Sequence, residues 1–128
     1  MIFFFDRSVG VKIPQALRLL DLPHQVEFHE QHFKLDEKDD EWLPVVGTWG
    51  WFVIGQDYKY HRLPHELAAL KQYSIGCFYL WGAEARKWET MRVFARAYDR
   101  IVSVAENTRR PFVFSVDHNG RLRQLALP

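Results

Sequence analysis

Trp51-Phe52-Val53-Ile54-Gly55-Gln56-Asp57 is an apolar run that stops on an aspartate, and Met1-Ile2-Phe3-Phe4-Phe5-Asp6 is a second. A continuous apolar run of this length, with no polar alternation, reads as a strand buried on both faces. Such strands belong to a parallel sheet covered by helices on either side. In open sheets of that kind, ligands bind in the crevice beyond the carboxyl ends of the strands. Each run therefore places a carboxylate at that crevice. Two like charges there repel unless something cationic lies between them, and oxygen donors suit a hard divalent cation.

Working outward from these runs, the elements alternate. Residues 2–6 form a strand. A helix over 14–22 carries Pro14 in its first turn and Ala16, Leu17 and Leu20 on one face. Residues 25–29 make a short second strand, and 32–38 a polar loop. Asp39 or Asp40 caps a helix that runs to about residue 48 with Trp42, Leu43 and Val46 inward. The third strand covers 51–56, and Pro64 opens a helix ending near residue 74. Residues 75–80 are the fourth strand. A long helix follows over about 84–106, where Trp88, Met91, Ala95, Tyr98 and Val102 recur at three and four residues and mark the expected buried stripe. Residues 112–116 and 122–127 flank Asp117-His118-Asn119-Gly120, and Asn-Gly is a strong hairpin signal. The pattern predicts one α/β domain over residues 1–128. It is a three-layer sandwich with a mostly parallel central sheet and a C-terminal β-hairpin.

Composition narrows the class. A chain of 128 residues, 48% of them hydrophobic, can bury a substantial core. The formal net charge is +1, so no global basic field argues for or against nucleic acid. The single cysteine, Cys77, excludes an internal disulfide framework and a Cys-based zinc site. It lies inside an apolar run and reads as a buried bystander. The N-terminal run is cut by Asp6 and Arg7, too early for a signal peptide or a membrane span, and the expectation is a cytoplasmic protein.

Asp36-Glu37-Lys38-Asp39-Asp40-Glu41 supplies a third group of acids. Taken alone it reads as a helix start and a solvated face, because a helix N-terminus favours carboxylates. Together with Asp6 and Asp57 it brings three acidic sources to one end of one sheet, which points to a divalent-cation site. The third ligand stays open among Asp39, Asp40 and Glu41.

Phe3-Phe4-Phe5-Asp6-Arg7, Asp39-Asp40-Glu41-Trp42-Leu43-Pro44, Gly50 to Asp57 and Pro64-His65-Glu66, taken in order, resemble a PIN-like domain. The nearest group is the VapC-like toxins of bacterial toxin–antitoxin pairs. The resemblance implies a metal-dependent ribonuclease acting on RNA phosphodiesters with Mg²⁺ or Mn²⁺. It carries over Asp6 and Asp57 as metal ligands and catalytic residues, with Asp39 or Asp40 as the helix-start acid. It also implies a small antitoxin partner, and a homodimer is compatible with it. One position departs from the pattern. PIN domains often carry a further acid just after the fourth strand, where this chain has Leu80-Trp81-Gly82 and its nearest acid is Glu84.

Around these carboxylates Arg7, Lys59 and Arg62 are candidate phosphate contacts. Arg92, Arg96 and Arg100 repeat every four residues, as a solvated face or as a phosphate- or partner-binding edge. Trp42, Trp49, Trp81 and Trp88 are candidate docking residues. Asp117 sits in the hairpin turn for local reasons and is left out of the site. Two further readings share the same sheet, a receiver-like phosphoacceptor and a catalytically silent binding module. The first lacks a hydroxyl after the fourth strand and a lysine after the last parallel strand.

Overall fold

The computed structural model describes residues 1–56 and 59–128. Eleven elements follow one another: β1 (Ile2–Phe5), α1 (Lys12–Leu19), β2 (Gln25–Phe28), a 3₁₀ turn (His29–Gln31), α2 (Asp39–Thr48), β3 (Phe52–Gly55), α3 (Pro64–Gln72), β4 (Gly76–Leu80), α4 (Lys87–Asn107), β5 (Phe112–Val116) and β6 (Leu122–Leu125). They form one six-stranded sheet in the order β2-β1-β3-β4-β5-β6. Strands β1 to β5 are mutually parallel, and β6 returns antiparallel on β5 with Val116 opposite Leu122 and Val113 opposite Leu125. The α/β sandwich and its terminal hairpin are as the sequence predicts.

Both faces of the sheet are covered, which is why the strands read as unbroken apolar runs. Phe3, Phe5, Phe52, Ile54, Phe78 and Leu80 point to one side, under Ile13 and Leu17 of α1 and Val93, Phe94, Ala97 and Ile101 of α4. Phe4, Val53, Cys77, Tyr79 and Val113 point to the other, under Trp42, Leu43 and Val46 of α2 and Leu70 of α3. Phe3, Phe4 and Phe5 have no exposed surface at all. Each contributes about 1.5–3 kcal/mol by leaving water. Among the described residues no helix is long and apolar enough to cross a membrane.

Two helix faces differ from the expectation. The buried residues of α4 are Thr90, Val93, Phe94, Ala97, Ile101 and Ala105. Met91, Tyr98 and Val102 lie on the flank of that stripe, Ala95 is exposed, and Trp88 is 69% exposed. The expected and observed stripes share the same periodicity but differ by one position, a rotation of about 100°. Val93, Phe94 and Ile101 supply the bulk of the contact, with Ala97 and Ala105 between them, so the helix buries one bulky set and leaves the other on its flank. In α1, Ile13, Pro14 and Leu17 are buried, while Leu19 and Leu20 are largely exposed. Trp42 is fully buried against Phe4 and Tyr60, so it is core and offers no docking surface.

Candidate functional site

Asp6 is the first residue past β1, and the sheet geometry fixes it there. Its backbone N–H donates to the Ile54 carbonyl of β3 at 2.9 Å. The residue is 2% exposed. Two residues on, the Ser8 N–H donates to Asp6 Oδ1 at 2.9 Å, and the Ser8 hydroxyl donates to the same oxygen. The Gln56 N–H in turn donates to Ser8 Oγ at 2.9 Å. Ser8 thus joins the ends of β1 and β3 around one carboxylate. The other oxygen, Oδ2, faces Gly55. A Cβ at Gly55 would lie 2.8 Å from it, so the bare glycine backbone makes the space the carboxylate fills. The negative charge is felt further down the sheet. Burial pushes the Cys77 thiol and the Tyr79 hydroxyl well up from their ordinary values, and Asp6 adds to both shifts. Asp57, expected beside Asp6, lies outside the described residues.

The acidic run at the start of α2 is divided by the helix. Lys38 is the N-cap, Asp39 is the first helical residue, and the helix has no side-chain cap, in contrast to the capping role expected of Asp39 or Asp40. Asp39 turns inward instead, its side chain only 4% exposed. Its Oδ1 accepts from the Trp42 indole N–H at 3.0 Å and meets the Arg7 guanidinium at 3.3 Å. Its Oδ2 meets Lys59 Nζ at 2.9 Å. Asp40 is half-buried, and Asp36 and Glu41 are exposed. Arg7 and Lys59, expected as substrate contacts, are therefore drawn onto Asp39, and Arg7 also donates to the Leu35 carbonyl. Arg62 is exposed and lines a cavity of about 550 Å³ beyond β4 and β5.

Sequence reasoning missed three residues here. Ser8 carried a usable signal, a hydroxyl two residues after a strand-end aspartate, the spacing of a side-chain-to-backbone turn. The backbone N–H of Gln56 carried none. His29 follows β2 as Asp6 follows β1, a positional parallel that was readable. It is 2% exposed, and neither ring nitrogen has a hydrogen-bond partner among the described residues. Burial lowers its pKa, with the Arg7 charge acting the same way. With Asp6, Arg7, Phe28 and Leu35 it lines a cavity of about 220 Å³.

Directly after β4 the chain has Trp81 and Gly82, and position 82 leaves no room for a side chain. Gly82 has φ +107°, and a Cβ there would lie 2.6 Å from Thr90 Oγ1. That hydroxyl, fully buried, donates to the Gly82 carbonyl at 3.1 Å. The first turn of α4 occupies the place a side chain at residue 82 would need. Asp117 is bound to its own turn, with Oδ1 accepting from the backbone of Asn119 at 2.8 Å and of Arg121 at 3.0 Å. Those N–H groups, Arg121 first, hold its pKa below the usual carboxylate value.

Among the described residues no group of three or more His, Cys, Asp or Glu stands close enough to share a metal ion. Of the three buried carboxylates, Glu27 is taken up by Arg18 and His32, while Asp6 and Asp39 still fit the way Mg²⁺ is commonly held, by one or two carboxylates together with water and substrate phosphate. Asp39 is already neutralised by two cations, which a metal would have to displace. A family model described as a PIN-like domain matches residues 1–82, taking in β1 to β4. No curated protein and no solved structure matches the chain.

Proposed function

The chain belongs to the PIN-like domain family, whose fold is commonly that of a nuclease, and on that premise we propose a metal-dependent endoribonuclease that hydrolyses RNA phosphodiesters. The observation that carries the reading is the buried Asp6 at the carboxyl edge of the parallel sheet, oriented by Ser8 and given space by Gly55. Asp6 and Asp57 would hold Mg²⁺ or Mn²⁺, with Asp39 or Asp40 as a further ligand. The bound ion would polarise the phosphate and activate a water. Ser8 keeps the Asp6 carboxylate in one orientation. Arg7 and Lys59 hold Asp39, and their charges would become available to a substrate phosphate were Asp39 to serve as a metal ligand.

A finer reading makes the chain the VapC-type toxin of a cytoplasmic toxin–antitoxin pair, silenced by a small protein encoded beside it. The exposed Leu19 and Leu20 support that reading as an apolar landing for such a partner. The arginine stripe supports it less, since Arg96 and Arg100 donate to the hairpin carbonyls of His118 and Gly120. The neutralisation of Asp39 favours a second reading, a silent binding module with the same pocket.

RNA cleavage across a metal series separates the two. Asp6→Asn and Asp57→Asn should each abolish divalent-dependent cleavage, while Asp117→Asn should cut as wild type does. Full activity in either of the first two variants places the chemistry elsewhere, and no cleavage by wild type with any divalent ion favours the silent module. Co-purification with the product of the neighbouring gene tests the toxin reading, which fails if no small protein binds.

A further inference from the structure

The net charge of +1 conceals a strong segregation. Six of the eleven arginines line two cavities. Arg62, Arg121 and Arg123 line the larger, of about 550 Å³, with His61, Trp81 and Asp117. Arg86, Arg92 and Arg96 line the smaller, of about 270 Å³, with Trp88, Glu89 and His118. The cavities meet where Trp81 of one and His118 of the other pack edge to face, ring centres 4.6 Å apart.

The six arginines are not committed to carboxylates. Among the described residues the ion pairs within 4.0 Å involve Arg7, Arg18, His32 and Lys59. Only two acids share the cavity walls, and Asp117 is bound to backbone N–H groups of its own turn. The position is equally specific. The larger cavity is lined by Trp81, the first residue past β4, and by Val116 and Asp117 at the end of β5, as Asp6 stands at the end of β1, and Gln56 Nε2 donates to the Trp81 carbonyl at 3.4 Å. Five of the six arginines, and His118, lie beyond the residues that the family model matches.

We infer that these two cavities form one track for single-stranded nucleic acid, running from the Asp6 site across Trp81 and His118 onto the outer face of α4. The arginines, none of them ion-paired among the described residues, neutralise successive phosphates, and the exposed Trp88 offers a face on which a base stacks, the combination that single-strand binders use. An acidic protein would be drawn by the same arginines but has no need of the indole face. The inference rests on the nuclease reading only for the location of the cut, because the arginines and indoles are present whether or not the chain cleaves.

Binding is measured by fluorescence polarisation with a labelled oligouridine, on the full chain carrying Asp6→Asn, in chelator so that no cleavage intervenes. Single strands should bind better than a hairpin duplex of equal length. The logarithm of affinity should fall with the logarithm of salt by about 0.7 per phosphate neutralised. Arg121→Glu/Arg123→Glu and Arg86→Glu/Arg92→Glu, all at exposed positions, should each lower affinity about tenfold or more and flatten the salt slope. Trp88→Ala should weaken binding at least about fivefold and leave that slope unchanged, the mark of lost stacking. Circular dichroism and melting of each variant show that the fold is intact. The inference is overturned if the arginine variants bind as the parent does, if duplex binds as well as single strand, or if polyglutamate outcompetes oligouridine. Cleavage by wild type with unaltered binding in the variants removes the track alone. Binding as described without cleavage in Mn²⁺ removes the nuclease reading alone.

Discussion

Replacing Asp39 by asparagine and by alanine separates what its carboxylate does. Asparagine keeps an oxygen for the Trp42 indole, 3.0 Å away, and loses the charge that attracts Arg7 and Lys59. Those two cations are 34% and 38% exposed, so solvent screening limits each pair to about 0–1 kcal/mol. Asp39→Asn should therefore cost about 1 kcal/mol. Asp39→Ala also strands a buried indole N–H, for about 1–3 kcal/mol more. The expected total is about 2–4 kcal/mol, with a melting temperature lower by roughly 3–5 °C per kcal/mol for a chain of this size. Urea denaturation followed by tryptophan fluorescence gives both numbers. Added salt should shrink the difference between wild type and Asp39→Asn, and leave that between the two variants nearly unchanged. If alanine and asparagine melt together, the indole bond is not what holds Trp42. If alanine melts with wild type, the whole buried network contributes nothing.

Other expectations follow from the same contacts. Gly82→Ala should destabilise by about 1–3 kcal/mol, because it combines a left-handed φ with a Cβ 2.6 Å from Thr90 Oγ1, and wild-type stability would refute the close approach. Millimolar Mn²⁺ should raise the melting temperature of wild type and not of Asp6→Asn, and an unmoved wild-type curve removes the metal site. His29 titrates below its ordinary 6.5 in the folded state. The unfolded chain therefore binds the proton first, and stability falls as pH drops from about 6.5 toward the lower folded value. His29→Leu should flatten that part of the pH–stability curve and raise stability at neutral pH, and an unchanged slope would show that His29 is not the group responsible. Cys77 should resist thiol reagents until the protein unfolds, since burial raises its pKa; rapid labelling of the native protein would contradict this.

The fold was legible because its strands need burial on both faces and say so in unbroken runs. Phe3-Phe4-Phe5 cannot satisfy a one-sided sheet, and Asn119-Gly120 permits little except a tight turn. The position of Asp6 at a strand end was readable for the same reason. The orientation of α4 was not. Two bulky sets share the helical period one position apart, Met91, Tyr98 and Val102 on one side and Phe94 and Ile101 on the other, and the period alone does not choose between them. The company of Asp39 was also hidden. Arg7 is 32 residues away along the chain, and a propensity argument for the helix start accounts for the aspartate without it. Residue 57, where the sequence places the second strand-end carboxylate, lies outside the described residues.

The two border strands of the sheet, β2 and β6, have a consequence for how the protein meets others of its kind. A border strand displays unpaired N–H and C=O groups, a template on which any extended chain can add. Each border here is only four residues long. On β2, Glu27 is held by Arg18 at 3.7 Å and His32 at 3.1 Å, which sets charge beside the free ladder. On β6, Arg123 and Gln124 are exposed in the middle of the strand. A second chain laying itself along β6 would have to bury Arg123 and Gln124 for the sake of a few hydrogen bonds, and one along β2 would meet the Glu27 ion pairs. The interior strands are among the most apolar segments in the chain and would be strongly aggregation-prone if released. Short, charged borders let the folded molecule be concentrated without the ladder growing from one copy to the next.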